Sequence, residues 1–174
     1  MESFLEILKY TVPALIVFLT AYLLLKQYLD DKQQIYLMAQ RNEAVKITLP
    51  LRLQAYERLT LLCDRAAIQN VLLRIRMPGM SVAELRGGLL MAIRQEFEHN
   101  TSQQLYVSDT LWQIITFAKN ETLAFVSQAA EGLDPQADDF MLVDILLRGL
   151  DAQADAGPLQ KTAIAIRTEA GNLF

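Results

Sequence analysis

The chain opens with apolar residues on every face and becomes periodic only later. From Tyr10 to Leu25 no position is charged and nearly all are apolar (YTVPALIVFLTAYLLL). Those sixteen residues, rising ~1.5 Å each, make roughly 24 Å of helix. Phe4, Leu5, Ile7 and Leu8 extend the run towards the about 30 Å of a hydrocarbon core, with Lys9 snorkelling outward. Tyr10, Tyr22 and Tyr28 suit interfacial zones, and Pro13 falls in the first turns, where a missing N–H costs little. Glu2 and Glu6 at the start, and Leu-Leu-Leu-Lys-Gln-Tyr at the end, argue against a cleaved signal peptide. A core helix is rarely apolar on every face for sixteen residues. The pattern predicts a transmembrane helix.

Beyond Lys26 the same helix is expected to continue. Ile35, Met38, Asn42, Val45 and Leu49 alternate in steps of three and four, a coiled-coil seam carrying one polar residue. The stripe restarts as Leu49, Leu53, Tyr56, Thr60, Cys63 and Ala67. Pro50 lies inside its irregular step, so a stutter, a kink or a new helix capped by Thr48 is expected there. Leu72 to Ile75 reads as a helix end, and Met77-Pro78-Gly79-Met80 as a turn. Ser81 and Glu84 form a capping box ahead of an apolar face of Val82, Leu85, Leu89, Ile93 and Phe97. Gly87 and Gly88 interrupt this helix, which suggests close approach of another backbone.

His99 to Val107 is a connection, and Ser108 caps a long helix. Its stripe is Leu111, Ile115, Ala118, Thr122, Phe125 and Ala129, widened by Trp112, Ile114 and Phe117. Gly132 is a helix stop. Phe140 to Leu150 is apolar almost all round and should be central or lie against something. Gly157-Pro158 opens a last helix with Leu159, Ala163, Ile166 and Ala170 inward. No run alternates as a strand would. The expected fold is all-α: an N-terminal transmembrane helix (1–27), a helical stalk with a coiled-coil-like seam (28–49) and a small helical-bundle domain (50–174).

Charge then orients the chain. Lys26, Lys32, Arg41 and Lys46 outnumber the positive charges of the first flank, which places the N-terminus outside and the C-terminal domain in the cytoplasm of a bacterial inner membrane. The whole chain has 16 basic and 20 acidic residues. Without a basic stripe it makes a poor nucleic-acid partner. The single Cys63 cannot form an internal disulfide.

The search for chemistry returns little. One histidine and one cysteine, far apart, supply no nucleophile–base pair. Glu96 and His99 have the spacing of a di-iron ligand pair, but the second histidine such sites need is missing. No glycine loop precedes a lysine and hydroxyl, and Asp134, Asp138 and Asp139 lack calcium-loop alternation, so they read as a solvated helix start. Arg52, Arg58, Arg65, Arg74 and Arg76 could bind acidic lipid or partner carboxylates but, interleaved with Glu57 and Asp64, read first as a solvated face with intrahelical pairs. No cofactor or metal is expected, and no enzymatic activity.

Two stretches, Thr48-Leu-Pro-Leu-Arg-Leu-Gln-Ala-Tyr-Glu-Arg-Leu and Glu96-Phe-Glu-His-Asn-Thr-Ser-Gln-Gln-Leu-Tyr-Val-Ser108, resemble an uncharacterised family of small single-pass membrane proteins from Bacteroidota. The resemblance implies inner-membrane placement and no assigned activity. The functional expectation is a membrane-tethered scaffold or adaptor, an accessory subunit of a larger inner-membrane complex. Its partners would be the lipid bilayer, other proteins of that complex and, through the stalk, a second copy. Gly87, Gly88, His99, Asn100, Gln103, Gln104 and Tyr106 are its candidate partner contacts. The alternative is a membrane-anchored ligand-binding sensor or enzyme with a pocket among the helices.

Overall fold

A computed structural model describes residues 2–152 and 157–173, without the side chains of residues 2–14, 35, 37, 39–42 and 44. Among the described residues the secondary structure is helical. α1 runs Glu2–Arg65, α2 Ile68–Ile75, α3 Val82–His99, α4 Asp109–Ala129, α5 Phe140–Asp151 and α6 Pro158–Gly171, with a 3-10 turn at Thr101–Tyr106 before α4. An isolated bridge joins Ser81 and Asp138. The chain forms two compact units, Met1–Leu49 and Pro50–Phe174.

In the first unit, α1 exposes large apolar side chains all round, from Leu15 to Leu25. The Thr20 hydroxyl is satisfied within the helix, donating to the carbonyls of Ile16 and Val17, each at 2.9 Å. Among the described residues, no helix is long and apolar enough to cross a membrane. The segment Leu15–Leu25 covers roughly 16 Å of helix, about half a hydrocarbon core. Lys26, Asp30, Asp31 and Lys32 follow it directly. This overturns the expected transmembrane helix and the inner-membrane placement with the N-terminus outside. The rest of the expected span, Tyr10 to Ala14, lies outside the described side chains. Helical backbone runs through Pro50, so no separate helix starts at Thr48. Of the expected seam, Met38 and Val45 are exposed and Leu49 is half-buried, while the side chains of Ile35 and Asn42 lie outside the described residues.

The second unit has one apolar core. α1 contributes Tyr56, Leu59, Leu62, Cys63 and Ala66, rotated from the expected stripe, which leaves Leu53 exposed. α3 contributes all five predicted residues, Val82, Leu85, Leu89, Ile93 and Phe97. α4 packs against α3, α5 and α6. It buries Leu111, Ile115, Ala118, Thr122, Val126 and Ala129. Val126 replaces Phe125 in the predicted stripe because Phe125 turns towards α5, where Gly149 makes room for its ring. Phe117 is exposed and does not widen the stripe.

The helix boundaries follow local chemistry. Ser81 Oγ accepts from Glu84 N while the Glu84 carboxylate accepts from Ser81 N, the predicted capping box. Ser108 Oγ accepts from Leu111 N at 3.1 Å. Gly79 at φ +82° follows Pro78 in the turn between α2 and α3, and Gly132 adopts the same φ after α4. Pro158 occupies the first turn of α6.

Candidate interaction groove

Two polar locks hold the second unit and define its surface. The first gathers three elements on Glu169 of α6. Tyr56 Oη of α1 donates to Glu169 Oε1 at 2.9 Å. Ser108 N donates to the same oxygen at 2.9 Å, and Ser108 Oγ to Oε2. Arg52 donates from Nη2 to Tyr56 Oη at 2.9 Å and from Nε to the Tyr106 carbonyl at 3.1 Å. Burial would raise the Glu169 carboxyl, but the Ser108 hydroxyl and amide, Tyr56 and the Arg52 charge outweigh it and hold it low. The Tyr56 hydroxyl is pushed up by burial and by Glu169, partly opposed by Arg52.

The second lock joins the end of α2 to the start of α5. Arg76 Nε and Nη2 grip Asp139 Oδ2 and Oδ1 at 2.7 and 2.8 Å. Hydrogen bonding from Arg76 keeps the Asp139 carboxyl below its ordinary range despite burial. Asp139 N also donates to the Met80 carbonyl. The acidic cluster does stand at a helix start, with Asp134 and Asp138 exposed and accepting from the amides of Gln136 and Phe140, but Asp139 departs from the expected solvated reading because it is buried.

Between α1, α2 and α3 lies an open groove of about 610 Å³. Arg58, Leu61, Leu62 and Arg65 line it from α1, Arg74 and Ile75 from α2, and Ala92, Gln95, Glu96 and His99 from α3, with Asn100 at the end. Arg65 holds the Glu96 carboxylate in a fork, Nε to Oε2 at 3.1 Å and Nη2 to Oε1 at 3.0 Å. Arg74 adds Nη1 to Oε1 at 2.9 Å and donates from Nη2 to the Arg65 carbonyl. Burial raises the Glu96 carboxyl, but hydrogen bonds from Arg65 and Arg74, with their charges, overcome this and lower it. Arg65, Arg74 and Arg76 thus pair between elements, not within a helix with Glu57 and Asp64 as expected. Among the described residues, only Arg148 and Asp144 form an ion pair within one helix.

The candidate contacts separate here. Asn100 is buried and donates from Nδ2 to the Glu96 carbonyl at 2.8 Å. Gln103 is buried and donates to Ser102 Oγ. His99, Gln104 and Tyr106 reach solvent. A Cβ on Gly88 would meet Ile75 Cδ1 at 3.1 Å, whereas a Cβ on Gly87 would meet nothing within 4 Å. The side chain of Ile75, not another backbone, explains one of the two glycines.

Sequence reading found α5 apolar almost all round but did not place its exposed arc. Leu142 and Leu146 enter the core, while Phe140, Met141, Ile145 and Leu147 are exposed around the Asp144–Arg148 pair. Phe140 with Leu147 (i, i+7) and Met141 with Ile145 (i, i+4) have the spacings of one helical side. An all-round apolar helix does not show which arc faces inward.

Burial pushes the Cys63 thiol up to about 12, far from a thiolate at neutral pH. Glu96 and Glu169 are held ionised by several donors each, which makes them weak proton acceptors. Among the described residues no three His, Cys, Asp or Glu side chains gather to hold a metal ion. A family model described as a family of unknown function, DUF7935, matches residues 2–173. The chain belongs to that family. Membership in DUF7935 assigns neither an activity nor a partner. No curated protein and no solved structure matches the chain.

Proposed function

We propose that this DUF7935 member is a helical scaffold or adaptor that binds partner proteins through the outer face of α5. The supporting observation is the exposure of Phe140, 68% open to solvent, beside Met141, Ile145 and Leu147 on one side of a helix whose opposite side is buried. Exposed apolar side chains gathered on one helix side, here parted by the Asp144–Arg148 pair, are the composition a protein interaction site uses. The two locks support the same reading, because they commit the buried polar groups to holding helices together. Gln104, Leu105 and Tyr106 form a second exposed segment.

Site-specific photo-crosslinking tests the proposal. A crosslinker at Phe140 or Leu147 captures a discrete protein in native cells, whereas one at the exposed Glu121 of α4 does not. Equal labelling at all three positions would refute the α5 surface. A second reading, self-association along α1, is favoured by exposed Met38 and Val45 on a continuous helix. It predicts a homodimer that persists when α5 is altered and is lost when Met38 and Val45 become Glu.

A further inference from the structure

The groove between α1, α2 and α3 is locally basic on an acidic protein. The chain has a formal net charge of −4, yet three arginines line this groove against one glutamate. Glu96 is 14% exposed and already satisfied by Arg65 and Arg74. Arg58 is exposed and has no hydrogen-bond or ion-pair partner among the described residues. The groove therefore carries positive charge beyond what its own carboxylate neutralises.

The spacing selects the kind of anion. Arg58 and Arg65 lie seven residues apart on α1, about 10 Å along the helix. Two carboxylates on one segment can engage both positions, one at each. A peptide with carboxylates about three residues apart in extended conformation spans it, at ~3.3 Å per residue. Exposed Leu61 lies between the two arginines, and Ile75 lines the groove from α2. An apolar side chain between two acids would find contact there. Arg65 also shows that a carboxylate can be held here in fork geometry, the arrangement guanidinium recognises best.

We propose that this groove binds an acidic, apolar-interrupted segment of a partner protein, with Arg58 and Arg65 as its carboxylate contacts and Leu61 as its apolar contact. The inference rests on the adaptor reading for its class of occupant, but it concerns a different surface from α5. Glu96 then acts as an internal competitor, occupying guanidinium groups that the segment would otherwise share.

The test measures binding of a short fluorescent Glu/Leu peptide to the full-length chain, beside the matching Gln/Leu peptide. The Glu/Leu peptide should bind at least tenfold more tightly, and its affinity should fall as salt rises. Arg58→Gln should weaken binding about tenfold with an unchanged thermal midpoint, since Arg58 supports no other group. Glu96→Gln, in a chain that still folds, should tighten it. Equal affinity for the two peptides would overturn the proposal, as would an R58Q protein that binds normally. Displacement of the peptide by inorganic phosphate at equal ionic strength would also overturn it, by showing a small-anion site. Failure here with α5 crosslinking intact would leave the adaptor reading standing. Loss of α5 crosslinking alone would leave the groove standing.

Discussion

Individual side chains in this protein differ sharply in what they hold. Asp139 has a side chain only 4% exposed and a bidentate partner in Arg76, itself 40% exposed. Replacing Asp139 with Ala strands a guanidinium that can rehydrate, so the cost should be about 1–3 kcal/mol. The same change at Asp144, in an open i, i+4 pair, should cost no more than about 0.5 kcal/mol. Urea unfolding of the two variants measures the contrast, and equal costs would mean that the Arg76 lock is not structural. None of this was legible from charge spacing. Arg65 and Arg74 lie among Glu57 and Asp64 in sequence, yet their carboxylate comes from Glu96, brought close only by packing of α3. Glu169 is still further from Tyr56 in the chain, and nothing in the pattern of α6 distinguishes it.

Protonation at these residues sets the pH limits. Asp139, Glu96 and Glu169 have folded-state pKa values below their ordinary ones. The stability they contribute is present above the ordinary carboxyl range and is lost as pH falls through the lowered folded values. Tyr56 is shifted the other way, above 10.0. Its contribution is present below that value and is lost as pH rises through the raised one. Stability measured by urea unfolding across pH should therefore fall at both ends. Glu169→Gln should flatten the acid arm, and Tyr56→Phe the alkaline arm. Unaltered arms in both variants would show that this lock does not persist in solution.

At the scale of elements, sequence reading succeeded where a cap or a stripe was local. Ser81 with Glu84, Ser108, Gly132 and Pro158 mark boundaries through interactions within a few residues, so α3, α4 and α6 began or ended where expected. It failed where the deciding contact came from another helix. Phe125 left the α4 stripe because α5 offers Gly149, and α5 buries Leu142 and Leu146 while its other side is exposed. Glycine substitutions test this packing. A Cβ at Gly149 would lie 2.7 Å from Phe125 Cζ, so Gly149→Ala should destabilise by about 1–3 kcal/mol. Gly87 sits mid-helix with open space around it, so Gly87→Ala should stabilise by about 0.5–1 kcal/mol. Thermal or urea unfolding of both variants gives opposite signs if these helices pack as described. Stabilisation by both would place Phe125 elsewhere.

For the whole molecule, the all-helical fold was readable because 3.6-residue periodicity survives along most of the chain. Function was much less so. The candidate contacts chosen for their polarity divided into buried structural groups, Asn100 and Gln103, and exposed ones, His99, Gln104 and Tyr106. Surfaces that can take a partner emerged only once burial was known: an apolar face on α5 and a basic groove lined by α1, α2 and α3. Both belong to the unit Pro50–Phe174, whose core and locks give them a fixed framework. The adaptor account is tested most directly by the molar mass of the complex that the full-length chain forms when gently purified from its native cells, with a Phe140→Asp, Leu147→Asp double variant measured alongside. The account predicts that wild type travels with another protein at fixed stoichiometry, and that the variant leaves that complex with its helical content and thermal midpoint unchanged. A wild-type chain that travels alone, or a folded variant that stays in the same complex, would contradict it.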